Sequence, residues 1–155
     1  MTDAQLAARC AHIPQLDAGA MDKARRRQAE LAKPPGSLGL LEDLSIRMAG
    51  ITGQVHNALK RTRIYVLAAD NGVVAEGVSS APQSVTLAQS INLTRGLTGA
   101  SSLARHFGDG LVVVDVGIAA DYTCPQILDR RIARGTRNLA KEPAMTREQA
   151  LRALE

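Results

Sequence analysis

Aromatic residues make up only 2% of this 155-residue chain, with no tryptophan and one phenylalanine. A single-strand nucleic-acid reader built on stacked aromatic platforms is therefore excluded. Cysteine is nearly as scarce. Cys10 and Cys124 stand far apart, in no CxxC spacing and with no Cys/His cluster nearby, so neither a zinc site nor a disulfide framework is expected. No run approaches the roughly 18 apolar residues of a membrane helix, and the N-terminus MTDAQLAARC lacks the basic start and apolar stretch of a signal peptide. The expectation is a cytoplasmic protein with no membrane association. Two phosphate-binding signatures, GxGxxG and GxxxxGK[ST], are also missing. His12, His56 and His106 have no partner at metal or triad spacing, and Ser37 has no GxSxG context.

What is present is an aliphatic chain long enough for one domain. Hydrophobic residues reach 45%, and the net charge is +4. Much of the basic excess is local, in Lys23–Arg27 and in Arg130, Arg131, Arg134 and Arg137. Clusters of this size are ordinary on solvated surfaces, so no nucleic-acid partner is expected.

The pattern divides the chain into an N-terminal helical segment, residues 1–62, and the start of an α/β domain, residues 63–155. A short helix is expected before Pro14 and a second over Ala20–Ala32. Lys33-Pro34-Pro35-Gly36-Ser37 then forms a stiff break. Leu38, Leu41, Leu44, Met48 and Ile51 recur at helical spacing and predict an amphipathic helix over Leu38–Thr52. Arg63–Ala69 reads as a buried strand, and Thr86–Arg95 and Gly99–Phe107 as helices. Leu111–Val116 (LVVVDV) reads as a parallel strand apolar on both faces. A right-handed crossover should join the two strands. Residues 130–143 are ambiguous. Thr146 and Gln149 have capping-box spacing ahead of a last helix. Two strands are few for an α/β sheet, so the sheet reads as incomplete, and the isolated chain is expected to be marginally stable.

Chemistry concentrates where the strands end. Asp70-Asn71-Gly72 follows the first strand; the acid could hold a ligand hydroxyl or a metal, or cap a turn in which Asn-Gly supplies positive φ. Asp115 occupies the same place on the second strand. Two such acids side by side would share a crevice, or each could bond loop amides. Ser79, Ser80 and Gln83 offer two-sided hydrogen bonding suited to the ring nitrogens of a heterocycle, or sit in a solvated turn.

Five blocks together resemble the nicotinate-nucleotide:dimethylbenzimidazole phosphoribosyltransferase family. KPPGSLGLLEDL (Lys33–Leu44) is similar to its KPPGSLGxLE signature, and AADNGVVAEGVSSAPQSVT (Ala68–Thr86) to its AADHGVxxEGVSxxPxxVT segment. Asn92–Ala104, Val112–Ile118 and GTRNLAKEPAMT (Gly135–Thr146) match later blocks in order. The resemblance implies a Rossmann-like parallel sheet with flanking helices, here incomplete, in a family that forms homodimers. It implies transfer of phosphoribosyl from nicotinate mononucleotide to 5,6-dimethylbenzimidazole or a related base, with no cofactor and no metal. It places Ser79, Ser80 and Gln83 in the base pocket and gives Asp70 a loop-shaping role, which for Asp115 rests on its strand-end position alone. Two positions depart from the pattern. Asn71 replaces a histidine, and Ala81 stands where an aromatic is common. The family's GxGNT motif and its general-base glutamate lie beyond residue 155, so the expectation is a shortened chain, inactive by itself. The alternative is a base-binding module without catalysis, or one subunit of a split enzyme.

Overall fold

The computed structural model describes residues 1–155. They form two compact units, Ala7–Lys60 and Met1–Leu6 together with Arg61–Glu155. No helix is long and apolar enough to cross a membrane.

In the first unit, α2 (Ala18–Glu30) packs on α3 (Leu40–Thr52). Asp17 caps α2: its carboxylate accepts from the Ala20 N–H at 2.9 Å, so the helix starts two residues before the sequence suggests. The contact is made of small residues, Ala20, Ala24 and Ala49. At Gly50 a Cβ would lie 2.8 Å from the Met21 side chain, which would have to shift to admit any larger residue. The Leu41, Leu44, Met48 and Ile51 row does not form the buried face. It is present at helical spacing but exposed, Ile51 by 65%. The two helices meet instead through the alanine side. The KPPGS break is closed by an ion pair, Lys33 to Glu42 at 2.6 Å, and Glu42 also accepts from the Leu38 N–H at 3.1 Å. Gly36 and Gly39 take positive φ within this turn, which delays the start of α3 from Leu38 to Leu40.

The second unit holds a parallel sheet of three strands in the order β1-β2-β3: β1 (Arg63–Ala69), β2 (Gly110–Gly117) and β3 (Ile127–Asp129). The third strand corrects the count of two. It has only three residues, too few for a period-two pattern to show. Between β1 and β2 run a 3-10 segment (Gly72–Glu76), α4 (Ser84–Arg95) and α5 (Gly99–Phe107). Val113 and Val114, successive residues of β2 on opposite faces, are both buried. This agrees with a strand covered on both sides. β1 differs, with Tyr65 and Leu67 mostly exposed. After β3 the chain is irregular until α6 (Arg147–Ala153), whose Thr146–Gln149 capping box forms as expected. At the other end of the chain, α1 (Asp3–Ala11) buries no residue.

Candidate functional site

The site grows from the carboxyl ends of β1 and β2, where open α/β sheets place ligands. A register shift falls between Ala68 and Ala69, so that Ala69 pairs with Gly117 and Val116 is left over. Such bulges re-aim the residues that come after them. Asp70 leaves the sheet here. Its N–H donates to the Gly117 carbonyl (3.0 Å), and its Oδ2 accepts from the Ala119 N–H (2.8 Å). Its other carboxylate oxygen, Oδ1, is buried with no partner.

The irregular segment after β3 is stitched onto these ends. Gly135 N–H donates to the Gly117 carbonyl at 3.0 Å, Thr136 N–H to the Asp70 carbonyl at 2.9 Å, and Gly72 N–H to Thr136 Oγ1 at 3.2 Å. The need for Gly72 is therefore closeness and not turn conformation. It does not have positive φ, contrary to the Asn-Gly reading, but a Cβ would sit 2.5 Å from the Thr136 carbonyl oxygen. Positive φ falls at Gly77, which ends the 3-10 segment. Glu76 holds the same neighbours from outside, accepting from Asn138 Nδ2 (2.5 Å) and pairing with Lys141 (3.1 Å); the Asn138 bond, then Lys141, lowers its pKa.

Asp115 has a different environment. It is fully buried, and all its acceptor capacity is used. Oδ1 accepts from the Gly117 and Ile118 N–H groups (2.9 and 2.8 Å). Oδ2 accepts from the Tyr122 hydroxyl (2.9 Å) and from Arg131 Nε and Nη2 (2.9 and 2.8 Å). Burial pushes its pKa up, but the Ile118 amide, Arg131 and Tyr122 together outweigh burial and hold it below the usual carboxylate value. Burial, then the bond to Asp115, raises the Tyr122 phenol. So Asp115 bonds loop amides and a cation, and opens onto no crevice with Asp70. The arginine cluster is likewise committed to partners: Arg131 to Asp115, Arg134 to Asp121, and Arg137 to Glu142 at 2.9 Å.

The cavity belongs to the β1 side. A space of about 380 Å³ is walled by Val73, Val74, Val78, Pro82 and Val85, with Asp70, Asn71, Ser79, Ala81, Gln83, Thr86 and Gln89 between them. Asp70 is the one ionisable side chain on its lining. Gln83 lies just before α4 and reaches the Asn71 carbonyl from Nε2 at 3.4 Å, so it closes one wall. Ser79 is on the lining, but its hydroxyl is folded into its own turn, donating to the Ala81 carbonyl (2.9 Å) and accepting from the Ala81 N–H (3.2 Å). Ser80 is exposed and does not line the cavity. Across Ala69 lies a second space of about 490 Å³, bounded by Val116, Ile132, Arg134–Arg137 and Met145. Nothing in the sequence marks Tyr122 or Thr136, and Arg131 stands out there only as one of a basic cluster. No local spacing announces them, because each reaches its partner through the fold.

Comparison with known proteins decides the family. A sequence model of phosphoribosyltransferases matches residues 13–155. The chain belongs to the nicotinate-nucleotide–dimethylbenzimidazole phosphoribosyltransferase family. It is 47% identical over 143 residues to the member from Ruminiclostridium cellulolyticum, covering 92% of this chain and 41% of that protein. It is 48% identical over 145 residues to the member from Chloroflexus aggregans, covering 93% and 41%. The crystal structure of the Thermus thermophilus member superposes with a TM-score of 0.82 at 42% identity, over 90% of this chain and 42% of that one. The fold is thus the family's incomplete Rossmann-like α/β sheet, and the chain spans about two fifths of the length of the curated relatives it matches.

Proposed function

We propose that this chain carries the acceptor-base half of a phosphoribosyltransferase that moves phosphoribosyl from nicotinate mononucleotide to 5,6-dimethylbenzimidazole or a related base. The observation that carries this reading is the β1-end cavity: apolar walls, two glutamines and a single ionisable group, Asp70. A flat neutral heterocycle fits such a lining, since its faces want apolar contact and its two ring nitrogens want one donor and one acceptor. Gln83 supplies both kinds. Ser79 contributes through the turn it fixes, and Asp70 through the loop it anchors. Ser80 would act only if the loop moved it inward on binding. The small side chain of Ala81 leaves room on that wall.

The reaction asks for more than a pocket. One ring nitrogen of the base attacks the ribose carbon, the other must lose its proton, and nicotinate departs with the bonding electrons, which neutralise its cationic ring nitrogen. Asp70 is the only ionisable group on the lining, and its Oδ2 is already committed to the Ala119 amide. With the Asp70 Oδ1 buried as well, we read the 155 residues as binding and orienting the base, with the proton acceptor of the transfer supplied from elsewhere in the family's length. Calorimetric titration tests this. The chain should bind 5,6-dimethylbenzimidazole and, given nicotinate mononucleotide as well, release no nicotinate. Absence of any binding would sink the base-pocket reading, and steady turnover by the chain alone would sink the division of labour.

A further inference from the structure

Asparagine followed by glycine is the pair most prone to deamidate, a reaction that needs only water. The glycine nitrogen, once it has lost its proton, attacks the asparagine Cγ; ammonia leaves and a cyclic succinimide remains. Water then opens the ring at either carbonyl. The product is aspartate, or isoaspartate with one extra methylene in the main chain. Glycine favours the attack because it has no Cβ to obstruct it. Of the four asparagines in the chain, Asn57, Asn71, Asn92 and Asn138, only Asn71 precedes glycine. Its neighbour cannot be a bulkier residue, since a Cβ on Gly72 would lie 2.5 Å from the Thr136 carbonyl oxygen.

The side chain of Asn71 is ready for this step and the backbone is not. Asn71 is exposed, and its carboxamide makes no hydrogen bond. Its backbone is extended, with φ −106° and ψ 123°. Ring closure needs the Gly72 nitrogen to swing about the Asn71 Cα–C bond until it eclipses Cβ, and this ψ holds it far from there. The peptide is fixed on both sides. The Asn71 carbonyl accepts from the Val74 N–H at 3.1 Å and from Gln83 Nε2 at 3.4 Å, and the Gly72 N–H donates to Thr136 Oγ1 at 3.2 Å. That last bond acts twice. It resists the rotation, and by stabilising the protonated amide it opposes loss of the proton that makes the nitrogen a nucleophile. Main-chain atoms of Thr136, Arg137 and Asn138 stand 2.5, 2.7 and 2.8 Å from where a Gly72 Cβ would be, so the guard is packed as well as bonded.

We propose that Asn71 is a deamidation site timed by Thr136, and that its conversion to an acid closes the β1-end cavity to neutral bases. The first half stands on the geometry above. The second rests on the base-pocket reading. Asp70 is the one ionisable side chain on that lining, and a carboxylate at residue 71 would have to give up water against an uncharged base. The isoaspartate product also lengthens the main chain between Asp70 and Gly72. There the Thr136 N–H meets the Asp70 carbonyl and the Gly72 N–H meets Thr136 Oγ1, and the two clasps cannot both keep their register. The change runs in one direction, because ammonia is lost.

The test holds the whole chain in mildly alkaline buffer, with peptide mapping by mass spectrometry for the amide-to-acid conversion and an isoaspartate assay to tell the two products apart. Wild-type Asn71 should convert at least ~100-fold more slowly than it does in a synthetic peptide of residues 68–74. Thr136→Val, close in shape but without the hydroxyl, should convert roughly 5- to 10-fold faster than wild type. Thr136→Ser keeps the hydroxyl and should match wild type. Tyr122→Phe loosens the neighbouring strand end without touching Gly72, so its rate should stay near wild type even where its melt falls as far as that of Thr136→Val. In wild type, Gly72 amide exchange and Asn71 conversion should rise together as urea is added, a comparison that holds even where Thr136→Val does not fold. Conversion of folded wild type at the peptide rate, a folded Thr136→Val no faster than wild type, or equal acceleration in Tyr122→Phe would overturn the Thr136 assignment. Converted chain, separated by ion exchange, is then titrated with 5,6-dimethylbenzimidazole. Binding at least ~10-fold weaker than that of unconverted chain is expected, and equal affinity overturns the second half. Absence of binding to the unconverted chain sinks the base-pocket reading and the second half with it, while the conversion rates still decide the Thr136 assignment.

Discussion

Asp70 and Asp115 end neighbouring strands and meet opposite fates. Asp115 accepts from four residues and has nothing left to offer. Asp70 accepts one amide on Oδ2 and keeps Oδ1 without a partner beside a cavity. The difference lies in the path of the chain beyond each strand. After β2 the chain turns tightly, so Gly117 and Ile118 present their amides to the acid just passed, and Arg131 returns from beyond β3 to neutralise it. After β1 the chain departs into a 3-10 segment and a valine-lined loop, and only the Ala119 amide, from beyond β2, reaches the Asp70 carboxylate. A strand-end acid is thus a loop anchor when the chain doubles back on it, and a site candidate when the chain opens away.

The largest way to break the comparison is Asp115→Ala. Removing the buried acid leaves Arg131 without its partner and two amides without an acceptor, which should cost about 3–5 kcal/mol in a denaturant titration; Asp70→Ala should cost clearly less, and equal losses would erase the distinction. Next is Gly72→Ala. Its Cβ would meet backbone at 2.5 Å that no side-chain rotation can move aside, and a loss of about 1–3 kcal/mol is expected. Tyr122→Phe removes one of the bonds to the Asp115 carboxylate and should cost about 1–2 kcal/mol, measured by thermal melts. The pH dependence sharpens the same point. The folded-state pKa of Asp115 is depressed, so its contribution is fully present above the unfolded value of about 3.9 and is lost as pH falls through the lower folded value. Chemical denaturation from about pH 6 down to about pH 2 should show this loss, and Asp115→Asn should flatten it. The smallest effect on stability is expected for Asp70→Asn, about 1 kcal/mol or less, because an amide oxygen can still accept from Ala119.

Some of this was legible in the sequence. β1 and β2 read clearly because their aliphatic runs leave few alternatives. The α6 capping box read clearly because its two partners are three residues apart. The KPPGSLGxLE block gains a physical reason: Lys33 and Glu42 close the proline turn on each other. The apolar row of α3 misled, since a helical stripe says that a face exists and not that a neighbour covers it. β3 was too short to have a pattern. Of the site, Gln83 and Ser79 fall on the cavity wall and Ser80 does not, a difference of one residue in a turn that composition cannot orient. Arg131, Tyr122 and Thr136 meet partners 16, 7 and 64 residues away, and separations of that kind carry no sequence signal.

The central claim is that the β1-end cavity, and not the neighbouring space across Ala69, takes the base. Titration of 5,6-dimethylbenzimidazole into isotopically labelled chain, followed by amide chemical shifts, tests it most directly. The account predicts saturable shifts at Asn71, Val78, Ser79 and Gln83, with affinity reduced in Gln83→Ala. Shifts confined to Ile132–Arg137 and Met145, or none at all, would contradict it.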